Sequence, residues 1–348
     1  MQTVVRQEQK SRPRQTSPGV FDHTDCQLPK IQRVCLSFSN LELYSDRFGL
    51  VRHWVAHGKH AARWVLDGAD LFLSDAQPQV HGLHDLATMF NTQRIFLMEA
   101  LPKRLQARFL EQAHLPPDTN VIRAPCNQPH ISYIKLTNHS AMNETQAVIN
   151  VAEILSTVIG PDRRGIIFCP SQHEADQLHD RFPQSCCVSY PELPEADKAH
   201  SEDEWKKGAK QWIAATAGFT LDVDSPSVGA VIFLGIGIMH GMDFLYRGAG
   251  QSSRDGQRSW VVVLQDEPRQ FAVPGYDGLR DDDDPQCLAE SWAWLQADRC
   301  RRIGFTMLYD DDTVSCADLP DAHFCDFCEP QSNLVVRLKK KFDPPLIL

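Results

Sequence analysis

Several short runs of the chain are apolar at successive positions, where an alternating pattern would mark a half-exposed strand. They are Arg63 to Leu66, the segment QRIFLMEALP from Gln93, GIIFCPS from Gly165, SCCVSY from Ser185, Trp212 to Ala215, Val228 to Leu234 and Ser259 to Leu264. Runs of this length and kind predict strands buried on both faces, as inside a parallel sheet. A further strand is expected over residues 31 to 37. Between them the spacing predicts helices over 41 to 62, 81 to 91, 103 to 115, 145 to 159, 173 to 182 and 287 to 309. In the third of these, Leu105, Phe109 and Leu110 fall on one face. The segment from Val121 to Leu136 runs extended, ends in a strand, and is expected to cross between two domains. Residues 191 to 209 read as a polar connection, and the Gly/Ser-rich stretch that carries Arg247, Arg254 and Asp255 reads as a loop. Alternation of strand and helix gives an α/β layered architecture with a parallel sheet, whose polar loops at strand ends are where such sheets do chemistry.

Composition narrows this picture. The 348 residues are 42% hydrophobic and 23% charged, enough to bury the cores of two domains and a small third. The net charge of -10 requires any nucleic-acid contact to come from a local patch. The longest apolar run, Val228 to Met239, is short of the roughly 20 residues a bilayer needs, and the first residues lack a signal-peptide core. No membrane association is expected, and residues 1 to 28 read as a disordered tail. Eleven cysteines in such a chain predict free core thiols together with a metal site.

Candidate chemistry follows from residue types at particular places. Asp67 ends a buried strand, where a carboxylate can hold magnesium through a phosphate. It also opens an Asp-Gly turn, and both readings stand. His53, His57 and His60 share a helical face without an acidic or Cys partner, which reads as surface. Gly58-Lys59 is no phosphate loop, because His53 and His60 stand where a glycine and a Ser or Thr are needed. Cys300, Cys316, Cys325 and Cys328 are spaced C-x15-C-x8-C-x2-C. A Cys-x-x-Cys pair sets two thiolates on one turn, and four complete a zinc tetrahedron. Cys287 and His323 are possible substitute ligands.

These pieces, in this order, resemble the RecQ-type DNA helicases of superfamily two, most closely the divergent fungal ones, over residues 31 to about 330. GIIFCPS looks like the first strand of that family's second RecA-like lobe, whose serine loop faces nucleic acid, which implies that role for Ser171. IAATAGFTLDVDSPSV is similar to the family's Ala-Thr-x-Ala-Phe-Gly-x-Gly-Ile-Asp stretch, with Thr216, Phe219 and Asp224 matching. YRGAGQSSRDG resembles the family's arginine-finger loop, with Gly250, Arg254, Asp255 and Gly256 matching and Gln251 in place of the first arginine. VLDGAD resembles the Val-Asp-Glu-Ala-His box: Asp67 keeps the magnesium position, while Gly68 replaces the water-positioning Glu and Asp70 the His. Met98-Glu99-Ala100 stands for Thr-Ala-Thr. In QPHISY, Pro129, Ile131 and Tyr133 match and Gln128 replaces Arg. Cys300-Arg301-Arg302 is similar to the opening of the family's zinc module.

The resemblance implies two RecA-like lobes of the P-loop NTPase type, the first truncated at 29 to 136 and the second at 137 to 270. A small helical zinc-binding module follows at 285 to 332, then a basic tail from 333 with Arg337 and Lys339 to Lys341. It implies a nuclear ATP-dependent 3'-5' DNA helicase of recombination and repair. Single-stranded or duplex DNA would be its partner, Asp67 and Arg254 its catalytic residues, Asp224 and Arg254 its contacts to ATP and magnesium, and Ser171 and Thr216 its contacts to DNA. Phosphoryl transfer develops negative charge that a guanidinium stabilises, and a Gln cannot replace that charge. With the phosphate loop expected upstream, the substitutions predict weak or no ATPase activity. The alternatives are a non-catalytic interaction scaffold or a fragment of a longer helicase.

Overall fold

A computed structural model of the chain describes residues 63–67, 93–98, 101–113, 115–138, 143–221, 225, 227–235, 241–266 and 285–342. Two parallel strands come first, β1 (Arg63–Asp67) and β2 (Gln93–Leu97), with Arg63 opposite Gln93 and Asp67 opposite Leu97. After Pro102 the chain makes a 3-10 turn, Lys103–Leu105, that passes into α1 (Gln106–Gln112). Phe109 packs edge-on against Phe96 at 5.7 Å and joins Leu101 and Ala113 in a small core.

The larger sheet is built from β3 (Ile131–Asn138), α2 (Glu144–Ile159), β4 (Arg164–Phe168), α3 (Gln172–Arg181), β5 (Cys186–Ser189), α4 (Glu195–Lys207), β6 (Trp212–Ala215), β7 (Val228–Leu234), α5 (Gly241–Gly250) and β8 (Ser259–Asp266). Its six strands lie in the order β3-β8-β7-β4-β6-β5, all parallel. The double-sided apolar runs have a direct physical outcome here. Ile166 and Phe168 of β4 enter one core, Ile167 and Cys169 enter the other, and all four are buried. Successive side chains of a strand point to opposite faces, so a strand covered on both sides must be apolar throughout. α2 is held at its start by the Asn143 side chain, which accepts from the Thr145 N–H.

Elsewhere the architecture departs from the sequence pattern. The strand expected to close the first lobe, β3, is the edge of the six-stranded sheet, so the boundary drawn at 136 falls inside it. The polar connection contains α4, a helix that buries only Trp205, and its surface carries the i,i+4 pairs Lys206–Glu202 and Lys207–Asp203. Such a helix has almost no apolar stripe to read. Arg247 lies on α5, not in a loop. The helix expected over 287 to 309 is two, α6 (Pro285–Gln296) and α7 (Arg301–Tyr309), because Cys300 has extended backbone and caps the second. The basic tail forms α8 (Asn333–Phe342), which buries Val335, Leu338 and Phe342 against the second core. Expectations on residues 1 to 62 and 81 to 91, and on Gly68, Asp70, Glu99, Ala100 and Asp224, lie outside the described residues. So do those on the side chains of Asp67 and Cys287.

Candidate functional site

Two places in the fold bring the singled-out residues together. The first is the cysteine cluster. The sulfurs of Cys300, Cys316, Cys325 and Cys328 all lie within 4.8 Å of one another, the first three buried and the last half-buried. Cys300 Sγ stands 3.5 Å from Cys316 Sγ and 3.9 Å from Cys325 Sγ. A tetrahedron of sulfurs around zinc has an edge of about 3.8 Å, given a Zn–S distance near 2.3 Å. These separations are far too long for disulfides, and all four cysteines are free. The donor set is soft and closed, which suits a structural zinc.

The thiols respond to one another. Hydrogen bonding with Cys300 and Cys316 holds the Cys325 thiol far below the ordinary range, while hydrogen bonding with Cys300 and Cys325 pushes Cys316 well up. Burial pushes Cys328 up to about 12. A bound dication would favour the thiolate form of every ligand.

The residues after Cys300 weld the cluster to the sheet. Arg301 forks onto Asp326, between the last two cysteines, with Nε to Oδ1 at 2.9 Å and Nη2 to Oδ2 at 3.2 Å. Arg302 is 1% exposed and donates to four carbonyls: Gln128 at 2.8 Å, Pro129 at 3.2 Å, Ile131 at 2.6 Å and His323 at 3.0 Å. The Asp326 N–H donates to Tyr133 O at 3.0 Å and the His323 N–H to Pro129 O at 2.9 Å. The module is therefore sewn to the entrance and edge of β3. His323 is outside the sulfur cluster and stands beside His130, ring centroids 6.4 Å apart. The role of Arg302 as a carbonyl clamp has no signal in the sequence beyond the Cys-Arg-Arg pattern itself.

The second place is the set of sheet ends. β4 and β6 are neighbours with Phe168 opposite Ala215, so Ser171 and Thr216 leave the same, carboxyl end of the sheet. Ser171 caps α3: its Oγ accepts from the His173 N–H at 3.1 Å and donates to the Glu174 carboxylate. Thr216 offers its carbonyl to the Phe219 N–H at 3.0 Å and begins the 3-10 turn Ala217–Leu221.

Arg254 is at the other end. The turn that carries it folds back on the first residue of β7, where the Ser253 N–H donates to Val228 O at 3.2 Å. Asp255 of that turn pairs with Arg163, just before β4, at 3.1 Å. Gln251 is 1% exposed and accepts from Arg254 Nη2 at 2.7 Å. The Gln251 side chain is thus turned into the protein, and Arg254 is bound to it. Ser171 and Thr216 follow neighbouring strands at one end of the sheet, and Arg254 lies at the other end.

No protein-family model matches the chain. Over 108 residues it is 27% identical to the RecQ-like DNA helicase BLM of Xenopus laevis, a stretch equal to 30% of this chain and 8% of that protein. The chain therefore spans under a tenth of that relative's length. Among solved structures, a variant of S. cerevisiae Dbp5 bound to RNA and ADP BeF3 matches with a TM-score of 0.52 and 13% identity, over 83% of this chain and 67% of that one. The Mycobacterium smegmatis helicase Lhr bound to ssDNA and AMP-PNP matches with a TM-score of 0.47 and 16% identity, over 67% of this chain and 30% of that one. The six-stranded parallel sheet with its helices is the fold of RecA-like helicase domains.

Proposed function

We propose that the chain is a RecQ-like nucleic-acid-binding protein built on the second RecA-like lobe of a helicase, locked by a structural zinc and hydrolysing little or no ATP on its own. The observation that carries this reading is the four-cysteine cluster, seated by Cys300-Arg301-Arg302 on the edge of a RecA-like sheet. The partial sequence similarity to a RecQ-like helicase points the same way. Single-stranded DNA would be held at the carboxyl ends of β4 and β6, through the loops of Ser171 and Thr216. ATP and magnesium would fall to Asp67, Asp224 and Arg254, and 3'-5' unwinding would need groups beyond these. Inward burial of Gln251 supports low hydrolysis, since a guanidinium reaching the transferring phosphoryl group speeds that step by several orders of magnitude. Nuclear residence and a part in DNA repair belong to the same reading. The test is steady-state ATP hydrolysis with and without single-stranded DNA: DNA-stimulated turnover by the full chain would overturn the low-hydrolysis part.

A non-catalytic protein scaffold is the second reading, favoured by Phe324 and Phe327, each 42% exposed on the zinc module. Salt-dependent single-strand binding separates the two, since counterion release is a property of phosphate contacts.

A further inference from the structure

A cavity of about 490 Å³ lies between the β3 edge of the sheet, the zinc module and the start of α8. Its volume falls in the range of ligand-sized pockets. Its walls are unlike the rest of a chain of net charge -10. Arg258, Arg337, Phe324, Trp260 and Glu329 line it. The Arg258 guanidinium lies over the Trp260 ring, 5.2 Å from its centroid, and donates to Ser132 Oγ at 3.4 Å. Arg337 donates to Thr157 Oγ1 at 3.3 Å. These hydroxyl partners orient both cations, and among the described residues neither forms an ion pair. Phe324 presents a 42% exposed ring at the same opening. From Arg337 the positive charge continues along α8 through Lys339, Lys340 and Lys341, while Val335, Leu338 and Phe342 anchor that helix.

We infer that this groove is a second single-strand subsite, in which an unpaired base stacks between Phe324 and the Arg258 plane and its phosphate meets Arg337. The inference rests on the nucleic-acid reading above, at a site distant from the sheet ends in sequence. Unstacked bases are taken up on aromatic rings and guanidinium planes, and backbone phosphates by neighbouring cations. Glu329 in the wall accepts from the amino or imino groups of a base edge and disfavours a second phosphate in the pocket.

The test uses the full, zinc-loaded chain and a labelled DNA single strand of about ten nucleotides, within known single-strand site sizes. Phe324→Leu keeps apolar bulk and loses ring stacking. It should weaken binding about tenfold, and Phe324→Tyr should restore it. Arg337→Gln should reduce the slope of log K against log salt by about 0.7. Photo-cross-linking of the wild-type complex should label the peptide that carries Phe324. Wild-type affinity in Phe324→Leu and Arg337→Gln, with cross-links only near Ser171 or Thr216, would overturn this subsite and leave the nucleic-acid reading standing. Absence of salt-dependent binding by the wild type would overturn both. Displacement of the strand by polyglutamate, lost in Arg337→Gln, with no cross-link at Phe324, would assign the groove to an acidic protein segment and overturn the inference.

Discussion

Arg301 and Asp326 form a two-point ion pair inside the four-cysteine module, with both side chains under a tenth exposed. The pair fixes the turn between Cys325 and Cys328 relative to Cys300, so it sets the shape of the sulfur cluster. Removing one partner of a buried pair leaves the other charge uncompensated, at a cost of about 3–5 kcal/mol. Asp326→Ala should therefore lower the melting temperature by many degrees and reduce bound metal. A variant that melts and loads zinc like wild type would show the pair to be dispensable.

The sulfur cluster predicts close to one zinc per chain by elemental analysis. Cys300→Ser and Cys325→Ser should lose it. Removal by a strong chelator should loosen the contact between module and sheet, read as proteolytic cleavage near residues 310 to 330. Core thiols such as Cys169 and Cys186 are buried in the sheet, so Cys169→Ala should leave zinc content unchanged.

Packing gives a sharper test of the central sheet. A Cβ on Gly165 would stand 2.2 Å from the Trp212 ring, and Trp212 is fully buried. Overpacking of this kind costs about 1–3 kcal/mol. Gly165→Ala should lower the urea midpoint without changing the slope of the transition.

These elements also mark how far the sequence could be read. Strands such as β4 and β7 were legible because a parallel strand covered on both faces must be apolar at every position. α4 was not, since one tryptophan is all it buries and its charged face is satisfied locally. In sequence α8 has the look of a tail because its three Lys outweigh the stripe of Val335, Leu338 and Phe342. The four cysteines were legible from spacing alone. Burial of Gln251 was not, because the Gly/Ser composition that hides α5 read as loop, and only the turn back onto Val228 aims the side chain inward.

The buried phenols fix the alkaline limit. Burial pushes Tyr133 and Tyr309 well above the ordinary phenol range, Asp243 adding to the effect at Tyr309, and burial pushes Cys187 up to about 12. An acid whose folded pKa is raised ionises first in the unfolded chain. Its stability is present below the unfolded value and is lost as pH rises above it. For phenols that loss begins near pH 10, at up to about 1.4 kcal/mol per pH unit for each group, with thiols starting lower. The urea midpoint should hold to about pH 8 and then fall. Tyr309→Phe should make the fall shallower above about pH 10, and an unchanged slope would contradict the assignment.

Gln251→Arg would place a guanidinium where the side chain is 1% exposed. Burial of an unpaired charge costs several kcal/mol, so the variant should be less stable and no better at ATP hydrolysis. Hydrolysis gained by that substitution would contradict the inward placement of residue 251.

The most direct test of the account is fluorescence anisotropy of a labelled single strand with the zinc-loaded chain, across a salt series, with and without ATP and magnesium. The expected result is binding whose log K falls linearly with log salt, by about 0.7 per phosphate contacted, and does not change on adding ATP. Binding that ignores salt, or no binding at low salt, would contradict it.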